Sequence, residues 1–368
     1  MLRVVIVGCG VVGAAIAYEV SRLPGFAVTI LEQATPASGS TAAALGVAMA
    51  VISQRAKGRN WRLRRQSLER YQTLLPELEV LTGQAIQRNT DGLLSLCLDP
   101  DSLARWQSLQ GIRQHQGYNL QLWSPPQVAE HCPHLALDGL VGAIYSPQDF
   151  QVNPRHLTQA LVLAAQRQGA LLLLGEEVVG FSGKPTTSSQ QRCTTVHTRQ
   201  QSLAADWVVL AAGVGCLALT RQLQSPLEIG PVLGQGAKLH LDSPLGYSHF
   251  QPVVSCDDVH LVPLGQGDYW VGATVEVAKE PGVLPPDPER LDQVIAAAKA
   301  YCPGLGAARV SDRWFGYRPR PQNQAAPLIQ PLAGYDNVWL ATGHYRNGVL
   351  LAPATAQAIC DHLKTLGP

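Results

Sequence analysis

The sequence predicts an α/β protein in two parts: a Rossmann-like half wound on a parallel sheet, and an α+β half built on a mixed, largely antiparallel one. Three observations carry this. The β-branched run Val4–Val7 flows into glycines at G-x-G-x-x-G spacing, Gly8, Gly10 and Gly13, and then into an Ala-rich helical pattern, the context in which that motif has meaning. Helix and strand alternate again after Asn153-Pro154, as a parallel α/β sheet requires. Between Pro231 and Val277 the pattern changes to short strands cut by turns, which signals antiparallel pairing.

In the first strand–turn–helix, Gly8 permits the turn, Gly10 lets the backbone approach a pyrophosphate, and Gly13 lets helix and strand pack closely. The helix start at Val11 and Val12 offers unpaired N–H groups and the positive dipole end to phosphate. A second strand, Ala27 to Leu31, ends at Glu32-Gln33, and the Glu32 carboxylate can accept both hydroxyls of an adenosine ribose. No Arg or Lys follows closely to meet a 2′-phosphate. A dinucleotide is therefore expected here. Next comes Ala37–Gly46, rich in small residues. Ser40 and Thr41 there either donate to phosphate from a helix start or belong to a tightly packed small-residue helix.

Arg55, Lys57, Arg59, Arg62, Arg64 and Arg65 lead into a helix expected over Trp61 to Leu81, and such a run reads first as a solvated helix face. A strand is expected at Gly92–Leu98, a polar helix at Asp101–Gln116 and a short helix from Ser124. His131-Cys132-Pro133-His134 matches no zinc spacing and reads as a loop. Asn153 caps a helix running to about Gln168, followed by a buried strand at Ala170–Leu174 and a strand edge at Glu176–Val179. Lys184–Arg192 is a polar hairpin tip, and Asp206–Gly213 is a buried strand ending in small residues. Strands at Gly236–Leu241, His260–Leu264 and Tyr269–Thr274 precede a helix at Pro288–Tyr301. Arg309–Pro319 reads as a long strand, with Asp312, Trp314, Gly316 and Arg318 on one face. A strand at Asn337–Gly343 and a last helix over Leu350–Leu363 close the chain.

The 28 basic and 27 acidic residues nearly cancel, so no global field favours nucleic acid or a membrane surface. The eight cysteines stand singly without a Cys-x-x-Cys pair, and Met1 opens almost directly into a strand. Both features lead us to expect a cytoplasmic protein with reduced thiols. The longest apolar run, Ala42–Ile52, is too short to span a bilayer.

This assembly resembles the FAD-dependent D-amino-acid oxidase superfamily along essentially the whole chain. The most specific stretch is Ala341-Thr342-Gly343-His344-Tyr345-Arg346-Asn347-Gly348-Val349-Leu350, continuing to Thr355, which resembles the segment of glycine oxidases of the thiamine pathway. The resemblance implies a Rossmann-like FAD-binding domain over residues 1–82, 146–220 and 320–368. It further implies a substrate-binding domain with a mixed or antiparallel sheet, inserted as residues 83–145 and 221–319. It places FAD against Gly8, Gly10, Val11, Val12, Gly13, Glu32, Gln33, Ser40, Thr41, Leu45, Gly46, Val47, Val178, Gly213 and residues Gly343 to Leu350. The last helix would aim its N-terminus at the flavin, where its dipole favours the anionic reduced ring. No cysteine lies between Cys302 and Cys360 to attach the flavin near Arg318, so the FAD is expected to be noncovalent.

The implied reaction passes a hydride from Cα of a small amino acid to flavin N5, with no dedicated catalytic base and no metal. The imine hydrolyses, and dioxygen, the expected acceptor, yields peroxide. Arg318 would hold the substrate carboxylate, because a planar guanidinium makes two parallel charge-assisted bonds; the alternative is an ion pair with Asp312. Arg346 is either a second site contact or a cap for backbone carbonyls. His260 stands where glycine oxidases of the best-known type place a tyrosine. It either donates into the pocket or lies on the sheet surface. Two other functions remain open: a D-amino-acid dehydrogenase with a quinone acceptor, and a tRNA-modifying flavoprotein using the Arg55–Arg65 cluster. No nucleic-acid or integral membrane partner is expected, and a homo-oligomer is compatible with the sequence.

Overall fold

The computed structural model describes residues 1–186, 190–278 and 282–365. Its first sheet has six strands in the order Leu328–Pro331, Val338–Thr342, Trp207–Leu210, Leu2–Val7, Phe26–Glu32, Leu171–Leu174. All neighbours run parallel except the pair Leu328–Pro331 and Val338–Thr342. The central strand Leu2–Val7 is apolar because helices cover it, and Val4 and Ile6 are completely buried. Helices Val11–Ser21, Pro154–Arg167 and Gly348–Thr365 share one core with it. The Asn153 side chain accepts from the Arg155 and His156 N–H groups at the start of the second of these, as expected of an N-cap.

The second large sheet has nine strands. Its main path runs Glu276–Val277, Ile229–His240, Asp268–Gly272, Val259–Gly265, Val253–Cys256, Leu93–Cys97, Gly142–Ser146, Gln121–Trp123, and Arg309–Pro321 pairs with the free side of Ile229–His240. It is antiparallel except where Val253–Cys256 meets Leu93–Cys97 in parallel register. Residues from before and after the Pro154–Arg167 helix thus share one sheet. Two small three-stranded sheets complete the set. One of them (Val47–Ala48, Phe150–Val152, Arg88–Asn89) links the two large halves.

Three expectations change. The Leu171–Leu174 strand is not buried: Leu171 and Leu174 are each about half exposed, because the strand is the outermost of its sheet and pairs on one side only. The expected strand Gly236–Leu241 begins seven residues earlier, at Ile229. Its glycines look like turn residues but serve close packing, since a Cβ on Gly236 would fall 2.9 Å from the Trp314 ring. The Arg55–Arg65 cluster is not one solvated face. Arg64 turns inward to Met49 O (2.9 Å) and Asn347 Oδ1 (3.0 Å), and Arg59 reaches Pro327 O (2.9 Å). The Lys184–Arg192 hairpin joins strands Val178–Pro185 and Gln191–Thr198, while residues 187–189 at its tip lie outside the described residues.

Candidate active site

The dinucleotide motif closes on itself through backbone contacts. Gly8 has φ +101°, and a Cβ there would lie 2.8 Å from Ala212 Cα. A Cβ on Gly13 would fall 2.0 Å from the Gly8 carbonyl oxygen, so strand and helix can cross here only without a side chain. The helix start has no side-chain cap from Gly10 and no acidic residue in its first turn. Val11 N–H donates to Thr41 Oγ1 (3.1 Å), leaving the Val12 and Gly13 N–H groups directed out of the helix end. Glu32 is buried at the tip of the second strand. Its Oε2 accepts Cys9 N–H (2.8 Å) and its Oε1 accepts Ala34 N–H (3.0 Å), and each oxygen keeps a further acceptor position. Gln33 beside it is exposed. The Glu176 N–H bonds to Glu32 O (3.0 Å), which brings the buried Val178 alongside.

Helix Ser40–Ala43 lies between this motif and the second sheet. The Ser40 hydroxyl donates to Tyr317 O (2.5 Å), and Trp314 Nε1 donates to Ala43 O (3.1 Å). Both hydroxyls are thus engaged within the chain: Ser40 spends its proton on a carbonyl, and Thr41 accepts from Val11. A Cβ on Gly213 (φ +57°) would stand 3.8 Å from Ser40 Oγ, so this turn faces the same place. The Leu45 side chain covers Gly272 of the second sheet. Gly46 packs on Val152 O, and Val47 pairs with Gln151.

The C-terminal turn is held from several sides. Gly343 has φ +69°, and a Cβ there would meet Pro321 Cγ at 2.7 Å. Tyr345 also has positive φ (+54°), an uncommon conformation for an aromatic residue. The Arg320 guanidinium lies 5.5 Å from its ring centroid. The His344 ring points away from the turn into the helix that follows, bonded to Thr355 Oγ1 (2.9 Å), and burial holds its pKa down to about 3. Asn347 is bound by Arg64, and Val349 O accepts the Tyr71 hydroxyl (2.5 Å). The final helix begins at Gly348, two residues before the expected Leu350, with no acidic residue in its first turn.

Arg318, Arg346 and His260 come together from three separate segments. Arg318 Nη1 donates to Leu233 O (3.1 Å) and Thr274 O (3.0 Å). Its guanidinium lies flat on Gly234, where a Cβ would fall 2.2 Å from Nη2. Among the described residues it has no carboxylate within 4 Å. Asp312 instead accepts from the neighbouring Arg313 N–H, so the ion-pair alternative does not form. Arg346 does make an ion pair, with the exposed Asp258 (2.8 Å), and among the described residues donates to no backbone carbonyl. His260 is half-buried, with Nδ1 bonded to Ser255 Oγ (2.9 Å). Burial, reinforced by the positive charges of Arg346 and Arg318, holds its pKa down to about 4, so it is neutral near pH 7.

Several residues that shape the site carry no sequence signal. Asp149 is buried and accepts three successive N–H groups, from Ala50, Val51 and Ile52. Arg113, in the helix expected to be merely polar, is fully buried. It stacks 3.7 Å from the Trp61 ring centroid and donates to Val51 O and Ser53 O. Together they clamp the segment that follows Val47. Burial pushes the Asp149 carboxyl up and the Arg113 guanidinium down to about 10. Nothing in sequence joins Thr274 or Glu276 to Arg318.

Residues 3–362 match the DAO family, described as FAD dependent oxidoreductase. The chain is 32% identical to the bifunctional protein ThiO/ThiG of Synechocystis sp., over 97% of its own length and 51% of that protein's. It therefore spans about half the length of this bifunctional relative. It is 30% identical to a glycine oxidase of Geobacillus kaustophilus, covering 97% of the chain and 92% of the relative. The crystal structure of glycine oxidase from the same organism superimposes with a TM-score of 0.85 at 28% identity, covering 99% of this chain and 95% of that one.

Proposed function

The chain belongs to the DAO family of FAD-dependent oxidoreductases, and on that premise we propose that it oxidatively deaminates glycine or another small amino acid. The products are an imine that hydrolyses to a 2-oxo acid and ammonia, together with hydrogen peroxide from dioxygen. In the cell this would supply thiamine thiazole synthesis. The observation that carries the reading is Arg318: a largely enclosed guanidinium, with Nε and Nη2 free of partners among the described residues, on a strand packed against the Ser40–Ala43 helix. A buried positive charge without a counter-ion is costly, and a substrate carboxylate forked by that edge relieves the cost.

The family's cofactor fits the residues present. The glycine crossing at Gly8, Gly10 and Gly13 leaves the Val12 and Gly13 backbone N–H groups for a pyrophosphate, with Val11 N–H engaged by Thr41. Glu32, Gln33 and Val178 would meet the adenosine, Ser40, Thr41 and Gly213 the phosphates and ribityl chain, and Leu45–Val47 with Gly343–Leu350 the flavin ring. His344 would contribute through its backbone, because its ring is bonded to Thr355. FAD, bound noncovalently, supplies the two-electron acceptor for the substrate Cα–H bond.

The protein's own part is to bind and orient. Arg318 takes the carboxylate and fixes which Cα hydrogen is presented. His260, neutral and steadied by Ser255, offers a hydrogen bond without adding charge. Arg346, held at the rim by Asp258, adds positive potential at the entrance. The positive charge of two neighbouring guanidinium groups favours the neutral amine, so no dedicated base is required. We also place the two-domain boundaries at 1–82, 146–220 and 320–368 against 83–145 and 221–319, which is supported by the strands of each large sheet coming, to within two residues, from its own set of segments. A cytoplasmic location is supported by eight buried free cysteines, and no described helix is long and apolar enough to cross a membrane.

A peroxide assay with purified yellow protein on glycine, sarcosine, D-alanine and D-proline tests this proposal. Turnover of glycine with peroxide release is expected. Reduction of the flavin by these amino acids without peroxide, coupled instead to an added quinone, would replace the oxidase with the dehydrogenase.

A further inference from the structure

A buried carboxylate behind the substrate arginine has no part in the reading above. Glu276 is 1% exposed at its side chain and lies directly across the strand pair from Leu233, whose carbonyl holds Arg318. Its Oε1 accepts Thr274 Oγ1 (2.6 Å) and Gln235 Nε2 (2.8 Å), while Oε2 is buried without a hydrogen bond. Among the described residues the nearest cation to Oε2 is the half-exposed Arg290, at 3.7 Å. Such a group is expensive to bury and is not needed to fill the core.

We propose that Glu276 is a positioning residue that sets the orientation of Arg318 through Thr274. Thr274 lies in the short stretch between strands Asp268–Gly272 and Glu276–Val277, where no regular ladder defines the backbone. Three bonds hold it. Its N–H donates to Gln235 O (3.2 Å), its hydroxyl oxygen accepts Gln235 N–H (2.9 Å), and its hydroxyl proton goes to Glu276. Only an acceptor at position 276 lets that hydroxyl receive from Gln235 and donate onward at the same time. With Thr274 so fixed, its carbonyl and that of Leu233 form a two-point seat for Arg318 Nη1. The seat leaves the Nε–Nη2 edge as the only free pair of donors and stops the guanidinium rotating on its long stem. The buried negative charge also favours the charged guanidinium where Arg346 opposes it.

The inference rests on Arg318 being the carboxylate site, so the test carries a control for that. Holoenzyme is titrated with glycolate, a carboxylate without an amine to oxidise, and the dissociation constant is read from the visible flavin spectrum. Steady-state kinetics on glycine run alongside. Glu276→Ala and Thr274→Val should each weaken glycolate about tenfold and raise KM for glycine by a similar factor, with kcat within about twofold of wild type. Glu276→Gln, which keeps an acceptor but loses the charge, should recover part of the loss. Thr274→Val decides the matter if Glu276→Ala fails to fold. Glycolate binding within about twofold of wild type in Thr274→Val, with Arg318→Ala abolishing it, would overturn the role of Glu276. Unchanged binding in Arg318→Ala would instead remove the carboxylate site on which the inference stands.

Discussion

At Gly13 an added methyl group would fall 2.0 Å from the Gly8 carbonyl oxygen, a backbone atom that cannot swing aside. At Arg318 the close partners are also backbone atoms, Leu233 O and Thr274 O, but they belong to other segments, 85 and 44 residues away in sequence. The first region is built by a few consecutive residues whose backbone conformations leave one arrangement. The second is built by register: Val232 faces Arg318, Gly234 faces Gly316, and Glu276 faces Leu233. A local motif constrains its geometry with its own covalent chain, whereas a constellation on a sheet depends on every pairing between its members.

The difference can be broken at either end. The largest effect is expected at the rigid end. Gly13→Ala must part strand from helix, costing about 3 kcal/mol or more, and should yield protein without the flavin absorbance near the visible maximum; a normal flavin-to-protein ratio would show that the crossing can relax. Arg318→Ala should keep the flavin and lose about 3 kcal/mol of kcat/KM on glycine, appearing as a rise in KM. A wild-type KM would mean the free guanidinium edge faces something other than substrate.

A third effect separates structural from functional histidines. The His344 pKa is held down to about 3 in the folded protein, against an ordinary value near 6.5 for the unfolded chain. The unfolded state therefore binds the extra proton first. The stabilising effect is complete above about pH 6.5 and is lost, at about 1.4 kcal/mol per pH unit, as pH falls toward 3. Urea midpoints measured from pH 7.5 down to 4.5 should fall accordingly, and His344→Asn should flatten that slope. His260, held down to about 4, predicts a KM for glycine with no histidine inflection between about pH 5.5 and 8. The smallest effect belongs to the rim. Asp258 is largely exposed, so Asp258→Ala should change thermal stability by no more than about 1 kcal/mol. A larger loss would show that the Arg346 pair is a structural part of the turn.

The dinucleotide end was legible because each of its signals is local. Gly8, Gly10, Gly13 and Glu32 lie within 25 consecutive residues, and the strand, turn and helix they imply are those found. The long strand carrying Arg318 was also legible, from its period-two pattern. The strand beside it was read as starting only at Gly236, because Gly230 and Gly234 resemble turn residues in sequence. The purpose of Gly234 and Gly236 shows only when Arg318 and Trp314 lie across them. The basic run Arg55–Arg65 was equally ambiguous: Arg64 and Arg65 are adjacent, yet one supports Asn347 and the other meets solvent.

By itself, then, the sequence determined the parallel half, the dinucleotide cradle, and the arginine and histidine to consider at the reacting end. These follow from backbone conformation and periodicity, which act over a few residues. Only the tertiary structure decided that Arg318 has no carboxylate partner among the described residues, that His260 is neutral beside two guanidinium groups, and that Asp149, Arg113 and Glu276 are buried. Charge state, burial and hydrogen-bond partners are properties of a residue's surroundings, and those surroundings exist only once distant strands have paired.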